Sequence, residues 1–385
     1  SYTNSGVIEL TNGAKLVLGS GAVFNNAAET SQVIASEGAT LNGGALFHNR
    51  GTFTASNVSL GVAAMIRNYQ GGEATFDSVN GTGGQIYNSG EMSIGNEASM
   101  SVLGDGSLVS NDGWLNLAGS FSADQIVNSG SGQLINQGNL VAETIEVAGG
   151  RVTNNGIAST DSLDITGVYE NAAGATTSIA GLATVNGGTL TNRGSMTANL
   201  GISVESGSLN NLGASAQLQA GSLSVGMNAS EMAPALVNNS GTLYLTGAMQ
   251  THEHSYVNNS QEGQISAQVA QIGGELSNAG NFEVRTGLTI TETGDATNTG
   301  TLDSETLTVD GSYANNAGQT TTGKLDVAGT YENAIGATTT VEGLATVNGG
   351  TLTNRGSMTA NLGISVDSGS LNNLGASAQL QAGSL

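Results

Sequence analysis

The densest group of potential metal ligands in the sequence is His252-Glu253-His254. Two imidazoles and one carboxylate are ligand types that hold Zn²⁺ and similar divalent ions. The three residues lie at a predicted turn, and no further ligand stands beside them in the sequence, so a plain surface turn is the alternative. We expect no metal site, and we keep His252, Glu253 and His254 as the candidates to examine in the structure.

Residue types that could perform catalysis are scarce. Enzymes that cleave polysaccharides use paired carboxylates, but no such pair recurs in neighbouring repeats, and His48 has no evident Ser or Asp partner. The chain has no Cys, so it offers no thiolate nucleophile and no disulfide. The calcium-binding repeat Gly-Gly-x-Gly-x-Asp does not occur either. The sequence therefore predicts a protein that is not an enzyme, with no catalytic residues and no cofactor.

The only tryptophan, Trp114, is a candidate for sugar binding. Alternation along the strand that follows Asn111 turns Trp114 outward, and Tyr87 has the same outward parity one repeat earlier, near Glu91. An exposed aromatic ring can stack on a sugar ring, and a large ring is seldom left in water without cause. Two interpretations follow: Trp114 and Tyr87 form a small patch that binds polysaccharide, or a loop from the long interval 111–136 covers Trp114.

All these residues are carried by a short internal repeat. Its signature is an apolar residue, any residue and then Asn, usually followed by Gly, and it recurs about every 20 residues. The asparagines that fit this period are Asn4, Asn25, Asn49, Asn68, Asn88, Asn111, Asn136, Asn154, Asn171, Asn192, Asn211, Asn238, Asn258, Asn278, Asn298, Asn315, Asn333, Asn354 and Asn373.

Within one repeat, apolar residues alternate with polar ones. Met196, Ala198, Leu200, Ile202 and Val204, for example, fall on one side of the chain, and this period of two is typical of a half-buried strand. One short repeat cannot bury its own apolar side, but stacked repeats bury a continuous core. The sequence therefore predicts an all-β fold: a single-stranded parallel β-helix, or β-solenoid, with about 20 residues per rung and about 18–19 rungs.

The repeated Asn shares the inward parity, so we expect it to stack on the Asn of the next rung. Stacked amides can donate and accept hydrogen bonds along the axis. Gly-Gly and Asn-Gly steps should supply the positive φ of tight corners, and the threonines of 320–322 and 338–340 should form a short outward ladder. The principal members expected in the asparagine ladder are Asn88, Asn111, Asn154, Asn192, Asn278, Asn298 and Asn354.

One interval departs from the simple repeat. The stretch that follows Asn211 is longer than most and contains Met227, Met232 and the only proline, Pro234. Proline lacks the N–H that a central strand needs. We expect a loop to leave the solenoid there, between Val225 and Leu236.

Charge excludes several classes of protein. Eight Lys+Arg against 30 Asp+Glu give a formal net charge of −22, which repels nucleic acid and anionic membrane surfaces. No apolar run is long enough to span a bilayer, and the first residues do not resemble a signal peptide. Carboxylates on a solvated surface would keep such a repetitive protein soluble and discourage lateral association.

A much longer repeat is superimposed on the short one. Residues 163–223 and 325–385 are near-identical copies offset by 162 positions, and their last 43 positions differ only at Glu205 and Asp367. The second copy stops where the first runs on into further repeats. We interpret residues 1–385 as one continuous β-helix segment, an excerpt of a longer repeat array.

Tandem Gly-x-Leu-x-Asn-x-Gly-x-Leu rungs, as in the segments that begin at Gly188 and Gly274, resemble the filamentous-haemagglutinin-like exoproteins of two-partner secretion. Autotransporter passenger domains are similar and form the second choice. The resemblance covers essentially the whole chain. It implies a right-handed β-helix, export across a Gram-negative outer membrane, and adhesion or biofilm-matrix function, and it supplies no catalytic residues.

The expected function is that of a rigid stalk segment of a large secreted bacterial adhesin at the cell surface, which mediates attachment in biofilm. Its expected partners are exopolysaccharide or another cell-surface molecule, and an outer-membrane secretion or anchoring partner that binds other parts of the parent chain. We expect no nucleic acid and no membrane insertion. Three alternatives stay open: a matrix protein that binds polysaccharide with its lateral surface, the shaft of a contact-dependent toxin delivery protein, and a β-helical polysaccharide-cleaving enzyme.

Overall fold

The structure, a computed structural model, describes residues 1–227 and 233–385, and the side chains of these residues except 96–98. Within those ranges it is all-β: parallel strands stack as a β-solenoid of about 20 turns with about 19 residues per turn, and no helix occurs. The predicted fold class is confirmed. The described residues accordingly include no helix that could cross a membrane. Two compact units are present, Ser1–Ala183 and Thr184–Leu385.

Strands follow one another closely in both units. The strands that begin in the first unit are β1 (Tyr2–Asn4), β2 (Val7–Leu10), β3 (Leu16–Leu18), β4 (Val23–Asn26), β5 (Gln32–Ala35), β6 (Ala39–Leu41), β7 (Leu46–Asn49), β8 (Thr52–Leu60), β9 (Met65–Asn68), β10 (Glu73–Thr82), β11 (Gln85–Asn88), β12 (Glu91–Leu103), β13 (Leu108–Asn111), β14 (Trp114–Leu117), β15 (Ser120–Asn136), β16 (Asn139–Asn154), β17 (Ile157–Ile165), β18 (Val168–Asn171), β19 (Thr176–Ile179) and β20 (Leu182–Asn192). The strands that begin in the second unit are β21 (Ser195–Ala198), β22 (Gly201–Asn211), β23 (Gln217–Ala220), β24 (Leu223–Val225), β25 (Ala235–Asn239), β26 (Thr242–Leu245), β27 (Ala248–Thr251), β28 (Ser255–Asn259), β29 (Gln264–Ile272), β30 (Glu275–Asn278), β31 (Asn281–Ile290), β32 (Asp295–Asn298), β33 (Thr301–Val309), β34 (Ser312–Asn315), β35 (Gln319–Val327), β36 (Thr330–Asn333), β37 (Thr338–Val341), β38 (Leu344–Asn354), β39 (Ser357–Ala360), β40 (Gly363–Asn373) and β41 (Gln379–Ala382).

Each turn of the solenoid has three faces. At the start of the first unit, β1 pairs in parallel with β4, β2 with β5 and β3 with β6. Parallel strands need a long crossover, and here the other two faces of the turn provide it. Further along, strands continue around the corners, so that β15 pairs with β12, β13 and β14 on successive faces.

Inward side chains form columns that run from turn to turn. Phe24 stacks on Phe47 of the next turn with ring centroids 5.1 Å apart, and Phe47 also stacks on Phe53 of its own turn at 4.1 Å. Leu, Val, Ile and Ala side chains fill most of the remaining interior and are almost completely buried. Burial of apolar surface contributes roughly 25 cal/mol per Å². Because each turn covers the apolar side of its neighbour, stability belongs to the stack and not to a single turn.

The repeated asparagines form a ladder of buried side-chain amides at one corner of the turn. In the first unit, Nδ2 of Asn49 donates to Oδ1 of Asn68 at 2.8 Å, and Nδ2 of Asn68 donates to Oδ1 of Asn88 at 2.8 Å. The second N–H of Asn49 donates to the backbone carbonyl of Glu73 at 2.9 Å. Since the buried polar atoms are hydrogen-bonded, the polar column avoids the cost of unpaired amides. This column contains Asn4, Asn26, Asn49, Asn68, Asn88, Asn111 and Asn128.

The ladder changes corner after Asn128. Asn128 lies opposite Asn111 of the preceding turn but opposite Val147 of the following one. A second column begins at Asn136, which lies opposite Leu117. Asn128 and Asn136 lie in the same turn, because Asn128 is opposite Asn111 and Asn136 is opposite Leu117. The long interval from Asn111 to Asn136 therefore reflects the change of corner, and the repeat pattern missed Asn128 because it expected one ladder residue in each interval of about 20 residues.

The second unit carries a ladder of the same kind. At two of its Asn-Asn pairs the ladder residue is the second asparagine, where the sequence predicted the first. Nδ2 of Asn239 donates to Oδ1 of Asn259 at 2.8 Å, and both side chains are buried. The sequence pattern had selected Asn238 and Asn258 instead, and made the same one-residue error at Asn25 in the first unit. The column of the second unit contains Asn192, Asn211, Asn239, Asn259, Asn278, Asn298, Asn315, Asn333, Asn354 and Asn373.

At several turns the glycine two residues after a ladder asparagine is required by space, whereas Gly130, Gly213 and Gly375 in the same position have a positive φ. A Cβ at Gly113, Gly138 or Gly280 would lie 2.2, 1.9 or 2.1 Å from a backbone carbonyl oxygen of the turn beneath, and none of these glycines has a positive φ. The expectation for Asn-Gly concerns a different glycine, the one directly after Asn. It holds at Gly187 and Gly349, which follow Asn186 and Asn348, begin Gly-Gly steps and have φ 84° and 92°. It fails at Gly81 and Gly156, which follow Asn without a positive φ.

The strand expected from Met196 to Val204 is interrupted by a corner. β21 ends at Ala198, β22 begins at Gly201, and the side chain of Leu200 between them is 69% exposed. Leu200 therefore does not share the inward side with Met196. Beyond the corner the inward positions resume at Ile202 and Val204, which are buried like Met196 and Ala198.

The threonine runs point alternately inward and outward, which corrects the expectation of an outward ladder. The O–H of Tyr331 lies 2.8 Å from Oγ1 of Thr339, and that hydroxyl donates to Oδ1 of Asn333 at 2.9 Å. Thr320 is hydrogen-bonded to Tyr313 in the same way, at 2.6 Å. Burial raises the pKa of Tyr331 above its ordinary value. The buried hydroxyls thus extend the polar column beside the ladder.

The loop predicted between Val225 and Leu236 falls largely on 228–232, outside the described residues. Before it, Met227 is 60% exposed. After it, the backbone carbonyl of Pro234 accepts a hydrogen bond from the N–H of Gly207 at 3.0 Å. A proline carbonyl can still join the ladder of strands although its nitrogen cannot. The loop itself stays a prediction.

We predict that Asn259→Asp destabilises the second unit strongly. The carboxylate would lose both N–H donors and place a buried charge against Oδ1 of Asn278, which now accepts from Asn259 at 2.7 Å. The expected loss is about 3–5 kcal/mol of unfolding free energy, measured by hydrogen exchange of the surrounding strands. Asn258→Asp is the matched control: its side chain is exposed, so the same charge should cost less than about 0.5 kcal/mol. Equal losses would contradict the ladder.

A second prediction concerns the corner glycines. Gly280→Ala should cost about 1–3 kcal/mol, because the new methyl group must displace the carbonyl of Gly263. Gly287→Ala is the control, since no atom lies within 4 Å of its Cβ position, and alanine there should be neutral or stabilising by about 0.5–1 kcal/mol. Urea unfolding followed by circular dichroism compares the two. Similar midpoints for both variants would refute the close approach at the corner.

Candidate functional site

The structure places His252, Glu253 and His254 in the turn between β27 and β28. The backbone N–H of His252 donates to the carbonyl of Val225 at 2.9 Å, and its carbonyl accepts from Oγ of Ser255 at 2.5 Å. His254 has a positive φ of 58°, a conformation that fits a tight turn. Among the described residues, no group of three His, Asp or Glu side chains is arranged to hold a metal ion.

Trp114 points outward, and its side chain is 41% exposed. It lies between Glu91 of the preceding turn and Gln133 of the following one on the same face. The chain after Asn111 continues into β14 and β15, and β15 pairs with both β13 and β14, so this interval extends the stack instead of folding over the ring. One aromatic surface is therefore available here, flanked by a carboxylate and an amide.

The structure does not bring Tyr87 onto the face that carries Trp114. Tyr87 lies in β11, opposite Arg67 of β9 and Ser110 of β13. Trp114 lies in β14, which pairs with β12 on the next face around the corner. The expected patch of two rings therefore resolves into two separate surfaces with different neighbours.

Tyr87 belongs instead to a group that sequence analysis missed. In the first unit, the residue before each ladder asparagine points outward, and at three successive turns it is His48, Arg67 and Tyr87, which lie in register. The residue after the ladder asparagine turns outward at the same corner, where the chain provides Arg50 and Tyr69. We refer to these five side chains as the His48 cluster.

Aromatic and cationic groups of the His48 cluster contact one another closely. The Tyr69 hydroxyl lies 3.0 Å from Nδ1 of His48. The guanidinium of Arg50 lies 4.5 Å from the centroid of the Tyr69 ring, and that of Arg67 lies 5.2 Å from the centroid of the Tyr87 ring. Such cation–π contacts attract a guanidinium to the face of a ring, and Nε of Arg67 also donates to Sδ of Met65 at 3.0 Å.

The electrostatics of the cluster are unusual for so acidic a chain. Burial lowers the pKa of His48, and the positive charges of Arg67 and then Arg50 lower it further. The mutual repulsion of these groups is unfavourable for the unliganded protein. Four other basic side chains lie beside carboxylates: Arg151 by Glu170, Arg285 by Glu283, Lys324 by Asp326 and Arg355 by Glu332. Arg285 also lies over a ring, 5.5 Å from the centroid of Tyr244.

A shallow cleft opens beside the cluster. It is lined by Thr3, Asn25, His48, Arg50 and Tyr69. Its walls therefore combine a hydroxyl, an amide, an aromatic ring and a guanidinium. This set can bind a polar, hydroxyl-bearing ligand with a negative charge.

Two of the cluster residues could have been found from the sequence. The tripeptides His48-Asn49-Arg50 and Arg67-Asn68-Tyr69 place basic and aromatic residues on both sides of consecutive ladder asparagines. Comparing equivalent positions of successive repeats, as for Trp114 and Tyr87, would have aligned His48 with Arg67.

Comparison with known proteins identifies no matching family model and no matching curated protein. The β-solenoid is consistent with β-helical exoproteins in general. The functional assignment therefore depends on the geometry of the chain itself.

We predict that the His48 pKa lies below its ordinary value of about 6.5 and rises when Arg67 is replaced by glutamine. Arg67→Gln removes a positive charge that disfavours the imidazolium, so the histidine should titrate at higher pH. Because the folded-state pKa is lowered, the stability from neutral His48 is present above the unfolded value and is lost as pH falls through the folded value. NMR titration of the His48 ring measures the shift. Arg151→Gln is the control, and an Arg67→Gln titration identical to wild type would contradict the coupling.

Proposed function

We propose that the chain is a rigid extracellular stalk segment of a large secreted bacterial adhesin, which mediates cell–cell or cell–matrix attachment in biofilm. The observation that carries the proposal is the asparagine ladder. Within each unit, adjacent turns are joined by backbone pairing and by buried amides such as Asn278 and Asn298, 2.8 Å apart. Opening one turn exposes the covered sides of its neighbours. A stack of this kind resists local bending, as a stalk must.

Near-identity of the copies at 163–223 and 325–385 supports a role in spacing. Each added turn lengthens a solenoid by about 4.8 Å without requiring a new fold. A segment that can be duplicated almost unchanged is suited to setting a distance, because each new copy presents the same inward columns to its neighbours. Duplication would be less useful for an enzyme with one active centre.

The surface charge of the chain is compatible with an extracellular location. A net charge of −22 keeps repetitive strands soluble and discourages adhesion between parallel segments. We propose a Gram-negative cell-surface location, with export and anchoring through other parts of the parent chain. Turn-by-turn folding outside the membrane would then help to draw the chain outward, since repeats can fold progressively along the chain.

A second candidate function is that of a matrix protein that binds polysaccharide with its lateral surface. The His48 cluster and the exposed ring of Trp114 favour this candidate. The two functions are compatible, because the ladder uses inward residues and a ligand would use outward ones.

The stalk proposal is tested by changing the number of turns. Deleting residues 182–343 joins Gly181 to Leu344, and the sequence around the junction is then the same as in the two native copies. The chain, fused at one end to an outer-membrane anchor and carrying a biotinylated tag at the other, is displayed on bacteria. The deletion removes about eight turns, or about 40 Å at about 4.8 Å per turn. We expect weaker capture by streptavidin beads through the surface polymer layer, and stronger capture when 182–343 is duplicated.

The control for this experiment is the unchanged fold. Circular dichroism of both length variants should give the strand signature of the parent chain. Capture and cell–cell attachment that do not vary with length, in variants that fold normally, would overturn the stalk function.

A further inference from the structure

We propose that the His48 cluster is a binding site for an acidic polysaccharide whose sugar rings carry carboxylates. This goes beyond the stalk function, because a pure spacer requires no ligand site. The site comprises His48, Arg50, Arg67, Tyr69 and Tyr87 at one corner of the first unit.

The charge of the cluster points to an anionic ligand. The guanidinium groups of Arg50 and Arg67 lie over tyrosine rings. The ion pairs among the described residues are formed by other basic side chains. A guanidinium that lies flat on a ring keeps a fork of N–H donors that matches a carboxylate. Because the rings already hold both guanidinium groups in place, little conformational entropy is lost when a carboxylate binds.

The neutral groups of the cluster point to a sugar. Thr3 and Asn25 line the cleft beside Arg50 and Tyr69, and a hydroxyl and an amide can each donate to and accept from sugar hydroxyls. Tyrosine rings offer an apolar surface with a polar tip. A ligand that combines hydroxyl groups, a ring and a carboxylate uses all of these features, whereas a simple anion would use only the cationic ones.

The arrangement along the stack points to a polymer. Asn25, His48, Arg67 and Tyr87 are in register on four consecutive turns, spaced about 4.8 Å apart. A linear chain that lies along this column would meet one polar or aromatic side chain at every turn. Weak contacts repeated along one ligand add to a useful total affinity.

The net negative charge of the chain favours a ligand polymer with a lower charge density than nucleic acid. Binding of nucleic acid requires many Lys and Arg contacts to displace counterions, and the chain has only eight such residues against 30 acids. A polysaccharide with one carboxylate on each ring brings fewer charges to the surface. The two arginines can therefore offset local repulsion.

Binding is measured with a short oligogalacturonate, an acidic oligosaccharide, added to the isotopically labelled full chain and followed by NMR. We expect shifts at His48 and Tyr69, and weaker binding when salt is raised from about 0.05 M to about 0.5 M. The fully methyl-esterified oligosaccharide keeps the rings and removes the charge. It should bind roughly tenfold more weakly or not at all, since it cannot form charge-assisted hydrogen bonds with the arginines.

The matched variants are Arg50→Gln with Arg67→Gln, against Arg151→Gln, whose partner in the wild type is Glu170. The double variant should lose roughly tenfold or more in affinity, while Arg151→Gln should bind like wild type. All should retain the wild-type circular dichroism. Equal binding of acid and ester, wild-type affinity in the double variant, or binding of polyphosphate in preference to oligogalacturonate would overturn the proposal.

The deletion of 182–343 separates this proposal from the stalk function. That variant retains the whole His48 cluster, so its affinity for oligogalacturonate should equal that of the parent chain even where its reach is reduced. Loss of binding on deletion would contradict a site confined to the first unit.

Discussion

The hydrogen bond from Nδ2 of one asparagine to Oδ1 of the asparagine in the next turn is the interaction on which the fold depends. A buried amide needs partners for two donors and one acceptor, and an asparagine one turn later supplies them only in one register. At Asn49 the donors reach Asn68 and the carbonyl of Glu73. A slip by one residue would turn the amide outward and bring polar side chains into the core. The ladder therefore fixes register as well as stability.

The same constraint explains the corners. Turns must approach closely for side-chain amides to meet, and at Gly138 or Gly280 a Cβ would collide with the carbonyl of the turn beneath. Asn-x-Gly is thus one structural unit, in which the asparagine joins the turns and the glycine lets them approach. Once register is fixed inside, it is also fixed outside. Residues that are far apart in sequence, such as His48 and Arg67, become direct neighbours on the surface.

The fold class was predictable because every turn meets the same physical requirement, so the period and the alternation are repeated many times over. The choice between Asn258 and Asn259 was not predictable, since both residues are polar and both fit the period within one position. Asn128 was missed because it lies 17 residues after Asn111, in a turn that also shifts the ladder to another corner. The His48 cluster required exact register between turns, which composition and motif searches do not supply.

Outward positions beside the ladder can either form ion pairs within the protein or offer groups to a ligand, without affecting the ladder. Arg355 follows ladder residue Asn354 just as Arg50 follows Asn49, but Arg355 lies 3.2 Å from a carboxylate oxygen of Glu332. In the duplicated segment the positive charge is therefore offset within the protein. In the early turns the equivalent guanidinium, that of Arg50, lies 4.5 Å from the centroid of the Tyr69 ring. Because the ladder constrains only the inward residue, a solenoid of this kind can combine turns that set distance with turns that bind a ligand.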